Sequence, residues 1–488
     1  MTTPSNLIFF LSDNHAGRML GSAGHPTIQT PNLDKIAARG VRFSNAYCAS
    51  PLCSPSRASL ATGRYPHQTG FWDNAIVYDG SVPSWHHRIR EQGHEVTAIG
   101  KLHYRSEKDD NGFSDEIIPL HIFEERGALI TSLRATEGGM PQRTSHRKIY
   151  EDSGEGEADY QIYDREITDA ALSWLREHST KQDRPWVLLI SYPSPHPPFR
   201  VPEKFWDLYP LDEVSMPVQW QPNKRPKHPA VEYLLWMNSL DDGIEEELLR
   251  RVIAGYCALI SHVDDQIGTV FQEAESLGLM GNTRVLYTSD HGEAAGNHGI
   301  LGKAINYEHS INVPLLMSGP DIPHGQVIDQ TSSHVDLFQT IVESVGAKLS
   351  DEDQSLTGTS LWPAINGSEE KRIGFTEFHA MGSKNGGFSI RDERYKLIYH
   401  VDMPNQLFDL HTDPQETNDL LLEAPNNKAA QVLEAKLREF VDPEAIDEQV
   451  KNDQLDHAEK FGGLEAVRRA GTFAVSPIPG KKAQMENV

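Results

Sequence analysis

Short apolar runs that stop at polar clusters recur along the chain. Leu7 to Leu11 ends at Ser12-Asp13-Asn14, Glu95 to Ile99 at Gly100-Lys101, Trp186 to Ile190 at Ser191-Tyr192, and Arg284 to Tyr287 at Thr288-Ser289-Asp290-His291. A short, unbroken apolar run marks a strand buried on both faces, the environment of a parallel sheet. Between these runs, Asn32 to Arg39, Ile167 to Glu177 and Leu248 to Leu277 carry helical patterns, the last with apolar residues near i, i+3 and i+4. Strands alternating with helices predict an α/β fold. Ligands in such sheets bind beyond the carboxyl ends of the strands, so the polar residues that end these runs are expected to converge.

After the Pro- and Gly-bearing segment Leu361 to Glu370 the pattern changes. Short candidate strands at Ile373 to Phe378, Gly387 to Arg391, Tyr395 to His400 and Gln406 to Leu410 are separated by turn residues, and a helix follows from Lys428 to Val441. This predicts a small antiparallel sheet with one helix. The expected division is a large catalytic unit over 1–370, a small α+β unit over 371–441 and a polar tail over 442–488. The tail reads as extended or packed on a neighbouring subunit.

A length of 488 residues exceeds what one core usually supports, in keeping with that division. Hydrophobic residues at 38% and charged residues at 24% exclude a disordered chain. With 70 Asp+Glu against 45 Lys+Arg the net charge is -25, which argues against nucleic acid and anionic membranes as partners. An anionic substrate meets the same repulsion, so its site needs a local cluster of cations. Cys48, Cys53 and Cys257 are too few for a disulfide framework and suit a reducing compartment. With no cationic leader and no apolar stretch of roughly 18 to 20 residues, the expectation is a cytoplasmic protein without a membrane span.

The segment Cys53-Ser-Pro-Ser-Arg-Ala-Ser-Leu-Ala-Thr-Gly-Arg64 carries the most specific chemistry. Pro55 followed by Ser56 suits a helix start, where free N–H groups and the helix dipole favour an anion. Taken alone, Cys53 reads as a buried structural thiol. The full pattern C-x-P-S-R-x-x-x-L-x-T-G-R resembles the signature of the sulfatase family at Cys53, Pro55, Ser56, Arg57, Leu60, Thr62, Gly63 and Arg64. The resemblance continues in order through Asn6 to Asp13, Thr30 to Asp34, Gly100-Lys-Leu-His103, Ser289-Asp-His-Gly292, Val313-Pro-Leu-Leu316 and Leu407-Phe-Asp-Leu410 with Asp413-Pro414. It implies an alkaline-phosphatase-like core, a mixed, mostly parallel sheet sandwiched by helices, with a smaller C-terminal antiparallel sheet-plus-helix domain.

In that family the cysteine is oxidised to formylglycine, whose hydrate is the nucleophile, so the resemblance makes Cys53 the precursor of the catalytic group. It also implies one divalent metal held by Asp13, Asn14, the modified Cys53, Asp290 and His291. Family habit favours calcium, while the borderline imidazole of His291 suits manganese better and makes Mn2+ the alternative. Many sulfatases carry Asp in place of Asn14 and Asn in place of His291; choline sulfatases and phosphonate monoester hydrolases share the amide and the histidine. By resemblance, Arg57 and Lys101 hold the sulfuryl oxygens, His196 and Lys303 serve the leaving oxygen, and His103 is the base that releases sulfate. Asn74 is a candidate substrate hydrogen-bond partner.

The stretch 104–160 reads as the leaving-group pocket, and Phe71, Trp72 and Phe123 are the aromatic residues available for a choline cage. The expected activity is hydrolysis of small aryl or alkyl sulfate esters, with choline-sulfatase-like, phosphonate monoester, phosphodiester and non-catalytic readings left open. Expected partners are a formylglycine-generating or anaerobic sulfatase-maturing enzyme and further copies of the chain in a dimer or tetramer. Residues 471–480 are expected to close a neighbouring copy's site.

Overall fold

Leu7, Ile8, Phe9 and Phe10 are fully buried because β1 (Asn6–Ser12) has a strand on each edge and helices on each face. The computed structural model describes residues 3–136, 139–179 and 183–486. Residues 137–138 of the expected pocket stretch and 487–488 of the tail lie outside the described residues.

The remaining strands of the central sheet are β2 (Gly40–Phe43), β3 (Val96–Lys101), β4 (Asp115–Leu120), β5 (Val187–Ser191), β6 (Thr283–Ser289), β7 (Leu315–Ser318) and β8 (Gln326–Ile328). Their order is β8-β2-β7-β6-β1-β5-β3-β4, and only β7 runs against its neighbours. The main helices are α1 (Pro31–Ala38), α2 (Cys53–Thr62), α3 (Asp159–His178) and α4 (Glu246–Ser276). Ile8 and Phe10 meet Leu33 and Ile36 of α1, Ile167 of α3 and Ile267 and Phe271 of α4. On the opposite face Leu7, Phe9 and Leu11 pack with Ala58 and Leu60 of α2 and with Phe338. Helices on both faces explain why these strands read as unbroken apolar runs.

The register of β1 against β6 pairs Ser12 with Ser289, so Asp13 and Asp290 leave the sheet side by side. Gly100 adjusts the end of β3: the register shifts between Ile99 and Lys101, and φ is 96°. A Cβ at Gly100 would lie 2.3 Å from the Ser191 carbonyl oxygen, which restricts this position to glycine.

The small antiparallel sheet follows as the meander β9 (Gly374–Phe378), β10 (Gly387–Arg391), β11 (Tyr395–His400) and β12 (Gln406–Asp409). Helix α5 (Lys428–Phe440) packs Leu433 and Leu437 on Phe388, Ile390, Leu397 and Leu407.

The tail differs from the expectation of an extended segment, because it contains α6 (Pro443–Lys460) and α7 (Leu464–Ala470). Asp442 caps α6 by accepting from the Ala445 N–H at 3.2 Å, with Pro443 in the first turn. Its buried side mixes Pro443, Val450 and Ala458 with two polar residues: Gln454 accepts from Arg134 at 3.1 Å and donates to Asp73 at 2.9 Å, and Asp447 faces Arg134 at 3.3 Å. A helix that buries polar residues gives little apolar periodicity. Among the described residues no helix is long and apolar enough to cross a membrane.

Candidate active site

Four side chains from three elements meet above the sheet. Asp13 follows β1, Asp290 and His291 follow β6, and Cys53 opens α2; one ligand atom from each lies within 4.8 Å of the others. His291 uses its Nδ1 on the Gly292 carbonyl at 3.0 Å, so a neutral ring donates there and presents a bare Nε2, 3.2 Å from Cys53 Sγ. Asn14 has φ of 70° and donates from Nδ2 to Glu293 at 2.8 Å, which leaves Oδ1 facing the cluster. Two carboxylates, an amide oxygen and an imidazole nitrogen, all buried, form a donor set that fits a divalent cation.

Cations surround these donors. The Lys101 Nζ lies 2.6 Å from Asp13, and Arg57 donates from Nε to Asp290 at 2.8 Å and from Nη2 to Asp13 at 3.4 Å. Burial alone would raise the Asp13 carboxyl, but Lys101, His196, Lys303 and His291 outweigh it and hold it well below the usual carboxylate range. Burial and the adjacent Asp13 carboxylate push Asp290 up to about 6. Burial, reinforced by Asp13, also pushes the Cys53 thiol up to about 12, so the unmodified sulfur is held as an unreactive thiol.

Arg57 does not line the cavity: its Nη1 donates to the Lys101 carbonyl at 2.6 Å and to Ser191 at 2.9 Å. Its place is beneath the donors, holding both carboxylates. Lys303 does line it, and donates to Asn14 Oδ1 at 2.7 Å with Cys53 Sγ at 3.6 Å. Burial, with Lys303, drives His196 well below the usual imidazole range, as burial with Lys101 drives His103. Neutral His196 donates from Nδ1 to the Pro197 carbonyl at 2.7 Å and so faces the cavity as an acceptor. His103 Nε2 meets the Ser476 hydroxyl at 3.1 Å. Asn74 is on the cavity wall, but its Oδ1 accepts the Ser54 N–H at 3.1 Å near the start of α2.

The cavity over these groups has a volume of about 90 Å³. The tail closes it within the same chain: Phe473, Ala474 and Ser476 form part of the wall, and the Ser476 carbonyl accepts from Tyr160 at 2.9 Å. Phe71, Trp72 and Phe123 do not line it; Trp72 donates to Asp453 at 2.8 Å and Phe123 packs on Phe473. The aromatic lining is instead Tyr150, Tyr160 and Phe473.

Sequence reasoning missed Glu293, Arg143, His146 and Ser476. Glu293 had a signal, since it lies two positions beyond His291 after a strand end. Arg143 and His146 fall within the stretch 104–160 read as the leaving-group pocket, but nothing local singled them out, because the residues that bury them come from distant segments.

This fold and site define a hydrolase of the sulfatase class. The sulfatase family profile matches residues 5–347, and a profile for the C-terminal part of N-sulphoglucosamine sulphohydrolase matches residues 296–442. The chain belongs to the sulfatase family and is a sulfuric ester hydrolase. It is 29% identical to a choline-sulfatase of Rhizobium meliloti over 99% of this chain and 95% of that protein. It is 27% identical to arylsulfatase K of Xenopus laevis, over 90% of this chain and 82% of that protein. The phosphonate monoester hydrolase of Agrobacterium radiobacter shares the fold, with a TM-score of 0.72 at 24% identity, covering 89% of this chain and 95% of that one.

Proposed function

We propose that the chain hydrolyses small sulfate esters with residue 53 in an oxidised, hydrated form and a divalent cation held by Asp13, Asn14, residue 53, Asp290 and His291. The observation that carries this reading is the meeting of Cys53 with that donor set under Lys101 and Lys303. The bound cation would supply Lewis acidity toward the residue-53 hydroxyl and a sulfuryl oxygen.

The chain's own groups account for the rest. Arg57 fixes the two carboxylates. Lys101 and Lys303 offset negative charge on the sulfuryl oxygens. The proton for the leaving oxygen is assigned to Lys303, since neutral His196 presents only an acceptor and can pair only with a donor carried by the leaving group. His103, neutral and on the wall, is the base that accepts a proton when sulfate is released. The finer expectations stand as part of this proposal: maturation by a formylglycine-forming enzyme, and calcium or manganese as the metal.

Cys53→Ser is expected to lower turnover of p-nitrophenyl sulfate at least about 10³-fold, because serine lacks the second geminal hydroxyl. Peptide mass should show the aldehyde at position 53 in active preparations. Near wild-type turnover by the serine variant, or an intact thiol in fully active protein, would overturn the reading. Parallel kcat/KM values on a phenyl phosphonate ester separate it from phosphonate hydrolysis.

A further inference from the structure

The cavity wall holds more positive charge than one sulfate group requires. Lys101, Lys303 and Arg143 line it together with His103, His146 and His196, and its described lining includes no Asp or Glu. Lys101 and Lys303 are engaged with Asp13 and Asn14 at the cation site. Arg143 is not. It is 8% exposed, with Nη1 2.8 Å from the Met381 thioether sulfur and Nη2 3.5 Å from the Phe473 carbonyl oxygen, while Nε has no partner. Among the described residues no carboxylate lies within ion-pair distance of it; Glu486 is the one acid near enough to act on it through space.

A buried guanidinium offers five donors, and a thioether and one carbonyl do not replace its hydration. Such a charge is strongly destabilising unless something arrives to pair with it. Its position says what arrives. Arg143 directly precedes the helix Thr144–Glu151, which carries His146. Arg143, His146 and Lys303 line the same cavity, and burial, then Arg143 and Lys303, pushes the His146 ring down to about 3. On the proposed mechanism, the leaving oxygen departs on the Lys303 side of the cavity wall.

We propose that Arg143 binds a second anion on the leaving group, so that the preferred substrates are sulfate esters bearing a carboxylate or a further sulfate. This deepens the sulfate-ester reading and rests on it. A planar guanidinium takes either anion through paired hydrogen bonds. A quaternary ammonium, as in choline sulfate, would meet three cations and no carboxylate in the described lining.

The test compares kcat/KM of the oxidised enzyme on 3- and 4-carboxyphenyl sulfate with their methyl esters, on hydroquinone bis-sulfate with the monosulfate, and on choline sulfate. At least about a tenfold preference for one of the doubly anionic series is expected, and which series shows it identifies the anion. Arg143→Gln should reduce that ratio toward one, with Arg143→Lys retaining part of it. No preference in the wild type, preference for the methyl esters or choline sulfate, or an unchanged ratio in Arg143→Gln would overturn the proposal. If no sulfate ester is turned over at all, the sulfate-ester reading fails. Calorimetry of 4-hydroxybenzoate against its methyl ester on the unmodified chain then decides Arg143 separately: tighter binding of the acid supports an anion site, and equal binding rejects it.

Discussion

Glu293 accepts hydrogen bonds from the Asn14 amide at 2.8 Å, from the Tyr150 hydroxyl at 3.2 Å and from the backbone N–H groups of Ala295 and Gly302. It thereby sets which end of the Asn14 amide faces the proposed cation site, although it is not itself in the donor set. Glutamine cannot accept at both ends, so Glu293→Gln is expected to weaken divalent-cation retention by about 10- to 100-fold while leaving the fold intact. Competition with a chelator, followed by metal analysis, reads this directly. Unchanged retention would show that Asn14 is oriented by something else. At the cation site itself, chelation should abolish turnover, and separate restoration with Ca²⁺ and Mn²⁺ identifies the working ion.

Element packing is tied down at the two ends of the segment that follows α2. Gly63 ends the helix with φ of 66°, and a Cβ there would lie 2.8 Å from the Phe338 Cβ; Gly63→Ala should destabilise by about 1–3 kcal/mol in a thermal melt. A few residues on, His67 lies 2.9 Å from Glu377 of β9, and His379 holds the other carboxylate oxygen at 2.9 Å. Burial alone would raise Glu377, but His67 and His379 outweigh it and hold it at about 2; the same pairing overcomes burial to raise His67. The depressed Glu377 contributes stability above its ordinary value of 4.5 that is lost as pH falls toward 2. The raised His67 contributes stability below 6.5 that is lost as pH climbs through its folded value. The Tm gap between wild type and Glu377→Gln should therefore be widest at about pH 5 to 6.5 and narrow on both sides. A gap independent of pH would remove the ionic explanation.

These elements also show what could be read in advance. The strands that carry the site were legible because both faces are buried, which produces unbroken apolar runs ending in Asp13 or Asp290. β4 (DEIIPL) and β8 were not, since an edge strand with partly exposed residues has no such run. Part of the buried face of α6 is made by Asp447 and Gln454, which resemble a solvated surface in a sequence. Arg143 looks like any surface arginine until Met237, Met381 and Phe473 close around it.

At the scale of the whole molecule, the last described segment completes the cavity: Ser476 meets His103 and Tyr160, and Ile478 enters the core around β1. Removing residues 471–488 should lower turnover at least about tenfold while costing only a few degrees of Tm, because α6 and its polar anchors remain. Full activity in the truncated chain would show that this cover is dispensable, and its mass in solution tests whether the segment also bridges copies. The order in which the cover arrives has a further consequence. Cys53 is 2% exposed in the finished fold, yet His291, which packs on its sulfur, is 238 residues further along the chain. At roughly 5 to 20 residues per second, a ribosome leaves the thiol uncovered for about 10 to 50 s before that partner exists. On the proposed reading of residue 53, its oxidation would belong to the period of synthesis, and a polypeptide that passed through that interval untouched would close over a thiol that a maturing enzyme could no longer reach.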